Sequence, residues 1–251
     1  MMMKNKTILI TGGNEGIGLA TAIVFAKQGA NVAIMGRRAN KNATALKAIE
    51  AMDAKCIAIT GDVSKAADMS GAVKKTVDTF GGLHFAFNNA GIPGTHSLFA
   101  VASEEEFDAI MGVNVKGVWL AMKYELPAIL ASGGGAIVNT GSSGSLIGLA
   151  NMPAYTGSKH AVVGMSKSAA MEYAQQGVRV NVICPGIICD TGIYDAMAKG
   201  SPGSVEAYKA AVPMKRYGTP EEIGGSVLYL CSDAAAYMTG QVLCVDGGLV
   251  P

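Results

Sequence analysis

Short apolar runs recur along the chain, each separated from the next by room for one helix, and this alternation limits the fold more than any other feature. TILIT (7–11), NVAIM (31–35), CIAIT (56–60), HFAFNN (84–89), AIVNT (136–140), VRVNVIC (178–184) and QVLCV (241–245) are β-branched or apolar and show little in–out alternation. Runs of that kind suit strands covered on both faces, as in a parallel sheet. Helix-length segments lie between them, at 17–28, 40–52, 66–80, 103–131, 155–176 and 220–231. The order predicts an α/β fold: a doubly wound parallel sheet of about seven strands with helices on both faces. A chain of 251 residues accommodates this as a single domain over 1–251.

Two helix starts carry their own signals. Ser103 precedes Glu104, Glu105 and Glu106, an N-cap with acids in the first turn and Glu106 at the capping-box position. Thr219-Pro220-Glu221-Glu222 places a cap before a proline at the first helical position. The stretch 186–210, with Gly192, Gly200, Pro202 and Gly203, reads as an irregular excursion beyond a strand's carboxyl end. Ligands of α/β sheets bind at such ends, so the excursion is a candidate substrate lid.

Composition excludes several function classes. Half the residues are hydrophobic and 16% charged, which argues against disorder, and a net charge of +1 offers no field for nucleic acid or a membrane surface. The apolar part of MMMKNKTILIT is too short for a signal peptide, and no run approaches the roughly 18 residues of a membrane span. Five cysteines form no CxxC pair and three histidines show no metal-ligand spacing. The expectation is a cytoplasmic protein with reduced thiols and no metal.

The first strand runs into TGGNEGIG, which opens a helix and includes Gly12, Asn14, Gly16, Ile17 and Gly18. In such a turn the glycines permit a tight bend, close approach to a pyrophosphate and close helix–strand packing, while the helix N-terminus supplies free N–H groups. The strand before and the helix after give the motif its context. The second strand ends at Gly36-Arg37-Arg38, where an NAD site would carry an acid for the adenosine ribose. Guanidiniums suit a phosphate instead, so Arg37 and Arg38 favour NADP(H) over NAD(H). Glu15, an acid inside the glycine loop, argues mildly the other way. Asp62 and Val63 follow the third strand, where the carboxylate can accept from the adenine amino group or cap the turn at Ser64. After the fourth strand, Asn89, Ala90 and Gly91 of NNAG let backbone lie against a cofactor.

These motifs fall into an ordered set with Asn114 in VNVKG, Ser142 in NTGSSG, YTGSK (155–159), CPG (184–186), RYGTPEEI (216–223), YMTGQ (237–241) and VDGG (245–248). The set spans essentially the whole chain and resembles the short-chain dehydrogenase/reductase family. That resemblance implies a Rossmann-like fold and a catalytic group of Asn114, Ser142, Tyr155 and Lys159. In it, Tyr155 is the general acid/base, its pKa lowered by Lys159 and the positive nicotinamide. Lys159 also holds the nicotinamide ribose, Ser142 bonds the substrate oxygen, and Asn114 completes a water-linked proton path. Pro185 and Gly186 would border the cofactor, and Ile188 would present its backbone to the carboxamide. Thr191 falls one residue later than the family's usual threonine, with Asp190 in its place, which puts its cofactor contact in question. The resemblance further implies a small carbonyl or alcohol substrate and a homotetramer built on the helices of 103–131 and 155–176. Apolar Val113, Val118, Met122, Val162, Met165 and Met171 are the residues expected to exceed what the sheet can cover. A 3-oxoacyl thioester reductase shares the apparatus and would need basic residues such as Lys199, Lys209, Lys215 and Arg216 near the site mouth. A non-catalytic nucleotide sensor is a third reading. His84, at the start of the fourth strand, is expected to make a strand-end contact, and His160 to be structural.

Overall fold

A computed structural model of the chain describes residues 2–192, 194–195 and 202–250. Seven parallel strands, β1 (Thr7–Thr11), β2 (Asn31–Gly36), β3 (Cys56–Thr60), β4 (Phe85–Asn88), β5 (Gly135–Thr140), β6 (Val178–Pro185) and β7 (Val242–Val245), form one sheet in the order 3-2-1-4-5-6-7. Each predicted run is a strand, with His84, Asn89 and Gln241 just outside. His84 Nδ1 accepts from the Thr7 N–H at 3.2 Å, the strand-end contact expected of it.

Successive strand residues face opposite sides of the sheet. Leu9, Ala33 and Met35 enter one core with α3 (Ala66–Phe80), α5 (Gly117–Ala131) and α6 (Pro153–Tyr173). Ile8, Ile10, Val32 and Ile34 enter the other with α1 (Gly16–Lys27), α2 (Ala39–Glu50) and α8 (Pro220–Cys231). Both faces are therefore dry, which is why the strand sequences do not alternate.

The predicted helix over 103–131 is three pieces. α4 (Glu104–Ile110) passes into a π-turn (Met111–Lys116) and then into α5. Ser103 caps α4 by accepting from Glu106 N–H, but the Glu106 carboxylate does not return to close the box. It accepts instead from Thr95, through both the backbone N–H and Oγ1. At α8 the box is complete, with Thr219 and Glu222 each accepting from the other's N–H.

The excursion over 186–210 is less irregular than its glycines suggest. Cys189 N–H donates to Gly218 at 3.0 Å, Gly218 N–H returns to Ile187 at 3.1 Å, and a helix, α7 (Pro202–Ala211), closes the segment. Gly200 and the candidate basic residue Lys199 lie outside the described residues.

Candidate active site

The strand order reverses between β1 and β4, and a crevice at such a point is where α/β sheets bind ligands. Two turns meet there. Thr11 Oγ1 accepts from the N–H groups of Asn89 and Ala90 at 3.1 and 3.2 Å, and Asn89 Nδ2 donates to the Gly12 carbonyl. Gly18 lies so near this turn that a Cβ would come within 2.1 Å of the Gly12 oxygen; only glycine fits. Gly16 has φ +50°, and the nearest atom to a Cβ there would be Thr191 Cγ2 at 3.4 Å. Thr191 thus sits over the glycine loop, held by donation from Oγ1 to the Ile188 carbonyl at 2.9 Å. The extra residue is absorbed by Asp190, whose φ is +54°. The shifted spacing therefore still delivers the threonine to the loop.

Asn14 donates to Asn42 at 2.7 Å, and Asn42 donates in turn to the carbonyls of Gly36 and Ile59, tying the loop to the ends of β2 and β3. Asp62 accepts from Ser64 N–H and Oγ, so its turn-capping reading holds, and one carboxylate oxygen has no bond to Ser64. Val63 packs against Gly117, and Ile17 and the buried Ile188 join the core beneath the crevice. Pro185 ends β6; at Gly186 a Cβ would fall 2.8 Å from Asp246 Cα, which brings VDGG onto the PG turn.

On the opposite wall, Tyr155 and Lys159 lie in the first two turns of α6, both buried, with Lys159 Nζ 5.7 Å from the Tyr155 ring centre. The Tyr155 hydroxyl lies near enough to the Ser142 side chain for the serine to influence its ionisation. Ser142 is fixed by its neighbours: its N–H donates to Ser145 Oγ at 3.0 Å, and its Oγ accepts from Gly144 N–H at 3.1 Å. Lys159 Nζ donates to the Thr140 carbonyl at 2.8 Å, which leaves two N–H bonds, and a Cβ on Gly91 would be 3.6 Å from that nitrogen. Asn114, 1% exposed within the π-turn, clamps the backbone after NNAG: it accepts from Ile92 N–H at 2.9 Å and donates to Ile92 O at 3.0 Å. Its second N–H bond reaches Ser158 at 3.0 Å. A shallow, open cleft adjoins Tyr155, lined by Pro93, Thr95, Phe107, Ile110 and Met152 among others.

The chain matches, over residues 12–250, the family model described as Enoyl-(Acyl carrier protein) reductase. It is 40% identical to a cyclohexanol dehydrogenase of Acinetobacter sp. (strain SE19), covering 97% of this chain and 94% of that one. Among solved structures, levodione reductase superposes with a TM-score of 0.95 at 33% identity, covering 98% of each chain. NAD⁺-bound xylitol dehydrogenase does so with 0.96 at 29%, over 99% of this chain and 100% of the other. The chain belongs to the short-chain dehydrogenase/reductase family. It is an oxidoreductase acting on CH–OH and C=O groups.

In this oxidoreductase, burial dominates the electrostatics of the pair. Burial raises the Tyr155 pKa, and the neighbouring Ser142 side chain opposes it only in part. Burial also brings Lys159 down to about 8. These directions belong to the protein alone; the lowering expected of Tyr155 includes the positive charge of the oxidised nicotinamide. Sequence reasoning missed groups that complete the site. Thr140 and Ser145 hold Lys159 and Ser142, Thr11 pins NNAG, and the buried Cys184 thiol lies with Ser145 against Gly141. Cys184 was visible only as part of CPG, and Thr11 only as the residue before the glycines.

Proposed function

We propose that the protein is an NADP(H)-dependent oxidoreductase that interconverts a secondary alcohol and a ketone, with Tyr155 as acid/base. One observation carries this reading: a buried tyrosine beside Ser142, one helical turn from an ammonium with two uncommitted N–H bonds, on the wall of a cleft. The Gly12–Gly18 turn, where a Cβ on Gly18 would strike backbone, fits a dinucleotide pyrophosphate, with Asn14, Ile17 and Thr191 around it. Arg37, Arg38, Asp62 and Val63 would hold the adenosine half; Asn89, Ala90, Gly91, Pro185, Gly186 and Ile188 would border the nicotinamide half. The nicotinamide supplies or accepts the hydride. Everything else falls to the chain. In reduction the Tyr155 hydroxyl gives its proton to the carbonyl oxygen as the hydride reaches carbon, and in oxidation the phenolate takes that proton back. Ser142 bonds the same oxygen while charge develops on it, Lys159 steadies the phenolate and bonds the ribose, and Asn114 positions the loop that carries Gly91.

A cyclohexanol dehydrogenase relative supports a secondary alcohol, while the NAD⁺-bound xylitol dehydrogenase neighbour speaks for the other cofactor. In the carrier-protein thioester reading, two of the basic residues are engaged within the chain. Arg216 is committed to Glu222 through both nitrogens, and Lys215 donates to the Ala210 carbonyl of α7. The sensor reading leaves the Ser142–Tyr155–Lys159 set without a task. Turnover of a panel of ketones and secondary alcohols with NADPH and NADH side by side tests the proposal. We expect secondary alcohols and ketones to react, faster with the phosphorylated cofactor; turnover of neither class sinks it.

Five free cysteines support a cytoplasmic location, and among the described residues no helix is long and apolar enough to cross a membrane. A homotetramer is also proposed, but of the residues first expected to carry it only Met171 is exposed. Val118, Met122 and Val162 are buried in the core, and Val113 and Met165 pack against it. Phe107, Trp119 and Met171 remain exposed on the same helices, Met171 to 85%. Light scattering at micromolar concentration should give four times the chain mass; a monomer would reject the tetramer.

A further inference from the structure

Glu15 opens α1 without capping it. Residues at that position ordinarily turn a side-chain oxygen onto the helix's own N–H groups. Here the backbone is extended, with φ −164°, and no side-chain cap bond forms. The carboxylate reaches across the crevice to α2: one oxygen accepts from Arg38 Nη2 and the other from Lys41 Nζ. Those two cations stand in the first turn of α2, where the helix dipole disfavours positive charge. They are a cationic pair in want of an anion, and Glu15 is the anion they hold. Both cations lower the Glu15 pKa against the effect of its burial.

The position of this trio gives it meaning. It lies just past the carboxyl end of β2, where the adenosine ribose of a dinucleotide meets this fold. A 2′-phosphate brought there would seek the guanidinium of Arg38 and the ammonium of Lys41, the groups the carboxylate already occupies. Arg37 makes no hydrogen bond or ion pair among the described residues, although its charge is felt by Asp62. One cation is thus open to a phosphate, and two must be released by Glu15 first.

We propose that Glu15 is a specificity-determining residue: its carboxylate stands in for the 2′-phosphate on Arg38 and Lys41 and competes with it, setting how far the protein prefers NADP(H) to NAD(H). The proposal rests on the reading that the crevice takes a nicotinamide dinucleotide. It makes Glu15 a brake on that preference. The loop acid then lowers affinity for the phosphorylated cofactor and leaves the other untouched, because only the 2′-phosphate needs those two cations.

The test is equilibrium binding of 2′,5′-ADP and 5′-ADP by calorimetry, to the wild-type protein, Glu15→Gln and Glu15→Ser. The serine variant restores an ordinary helix cap and guards against a folding defect in the first. Either variant should bind 2′,5′-ADP about tenfold more tightly than wild type at low salt, with 5′-ADP unchanged to within about twofold. The gain should shrink as salt is raised, since these groups are exposed. Unchanged 2′,5′-ADP affinity in both variants overturns the inference, even if the wild type prefers 2′,5′-ADP. Equal tightening of both ligands also overturns it, because the acid would then repel any phosphate. A wild type with no preference that gains one in the variants upholds the role of Glu15 and rejects the NADP(H) preference.

Discussion

At the scale of single residues, the site sets burial against charge. Tyr155 and Lys159 are drawn together by α6, yet the desolvation that packs them also opposes ionisation of both. The phenol therefore stays protonated in the resting protein, ready to act as an acid, and becomes a base only as pH rises or a positive charge arrives. Ketone reduction should accordingly persist across the neutral range, whereas kcat/KM for alcohol oxidation should climb with pH. Tyr155→Phe removes the proton and keeps the ring, which is buried. We expect kcat to fall by about 10²–10⁴ or more in both directions, with cofactor affinity by fluorescence titration nearly unchanged. Substantial residual turnover would dismiss Tyr155 as the acid.

At the scale of elements, what was legible was what periodicity and local chemistry encode. Every strand run was readable because a sheet covered on both faces demands unbroken apolar segments, and Ile8, Leu9 and Ile10 are all fully buried. The α8 cap was readable because Thr219 and Glu222 are three residues apart and answer each other. At α4 the same spacing misled: Thr95 lies near Glu106 only in space, and its two donors won the carboxylate. The π-turn at Met111–Lys116 had no local signal either. Such a turn adds a residue to the helix and is commonly kept where function needs it. Here it holds Asn114 against Ile92, behind the turn that brings Gly91 to Lys159. Ser142, Tyr155 and Lys159 could be named from motif order, but Thr140, Ser145 and Cys184 gather around them only once β5, β6 and α6 are packed side by side. All the apolar residues assigned to an interface except Met171 turned out to be core for a related reason, since helical spacing does not tell a core face from a subunit face.

At the scale of the whole molecule, one buried acid ties stability to pH. Glu125 on α5 is fully buried, accepts from Asn88 Nδ2 at 2.9 Å, and has its pKa raised to about 8 by burial. Asn88 spends its other N–H bond on Asn139, which continues to Ser166, so a polar chain crosses the core from α5 to α6. Two acceptors in this chain, Asn88 Oδ1 and Glu125 Oε1, have no donor among the heavy-atom contacts. A proton on Glu125 supplies a donor to a place that has only acceptors, and the neutral acid is therefore the form the fold selects. The sign of the linkage follows. Between the ordinary glutamic pKa and about 8, the unfolded chain has lost a proton that the native protein keeps, so stability falls as pH rises, at up to roughly 1.4 kcal/mol per pH unit. Below that window Glu125 has no effect on the slope, and above about 8 the loss is complete. Glu125→Gln keeps an N–H donor of similar shape and cannot ionise. Denaturant unfolding at pH 5, 6, 7 and 8 should show the variant gaining on the wild type with each step, by several kcal/mol over the range. Parallel curves for the two proteins would mean that Glu125 is ionised throughout, with its charge stabilised inside the core.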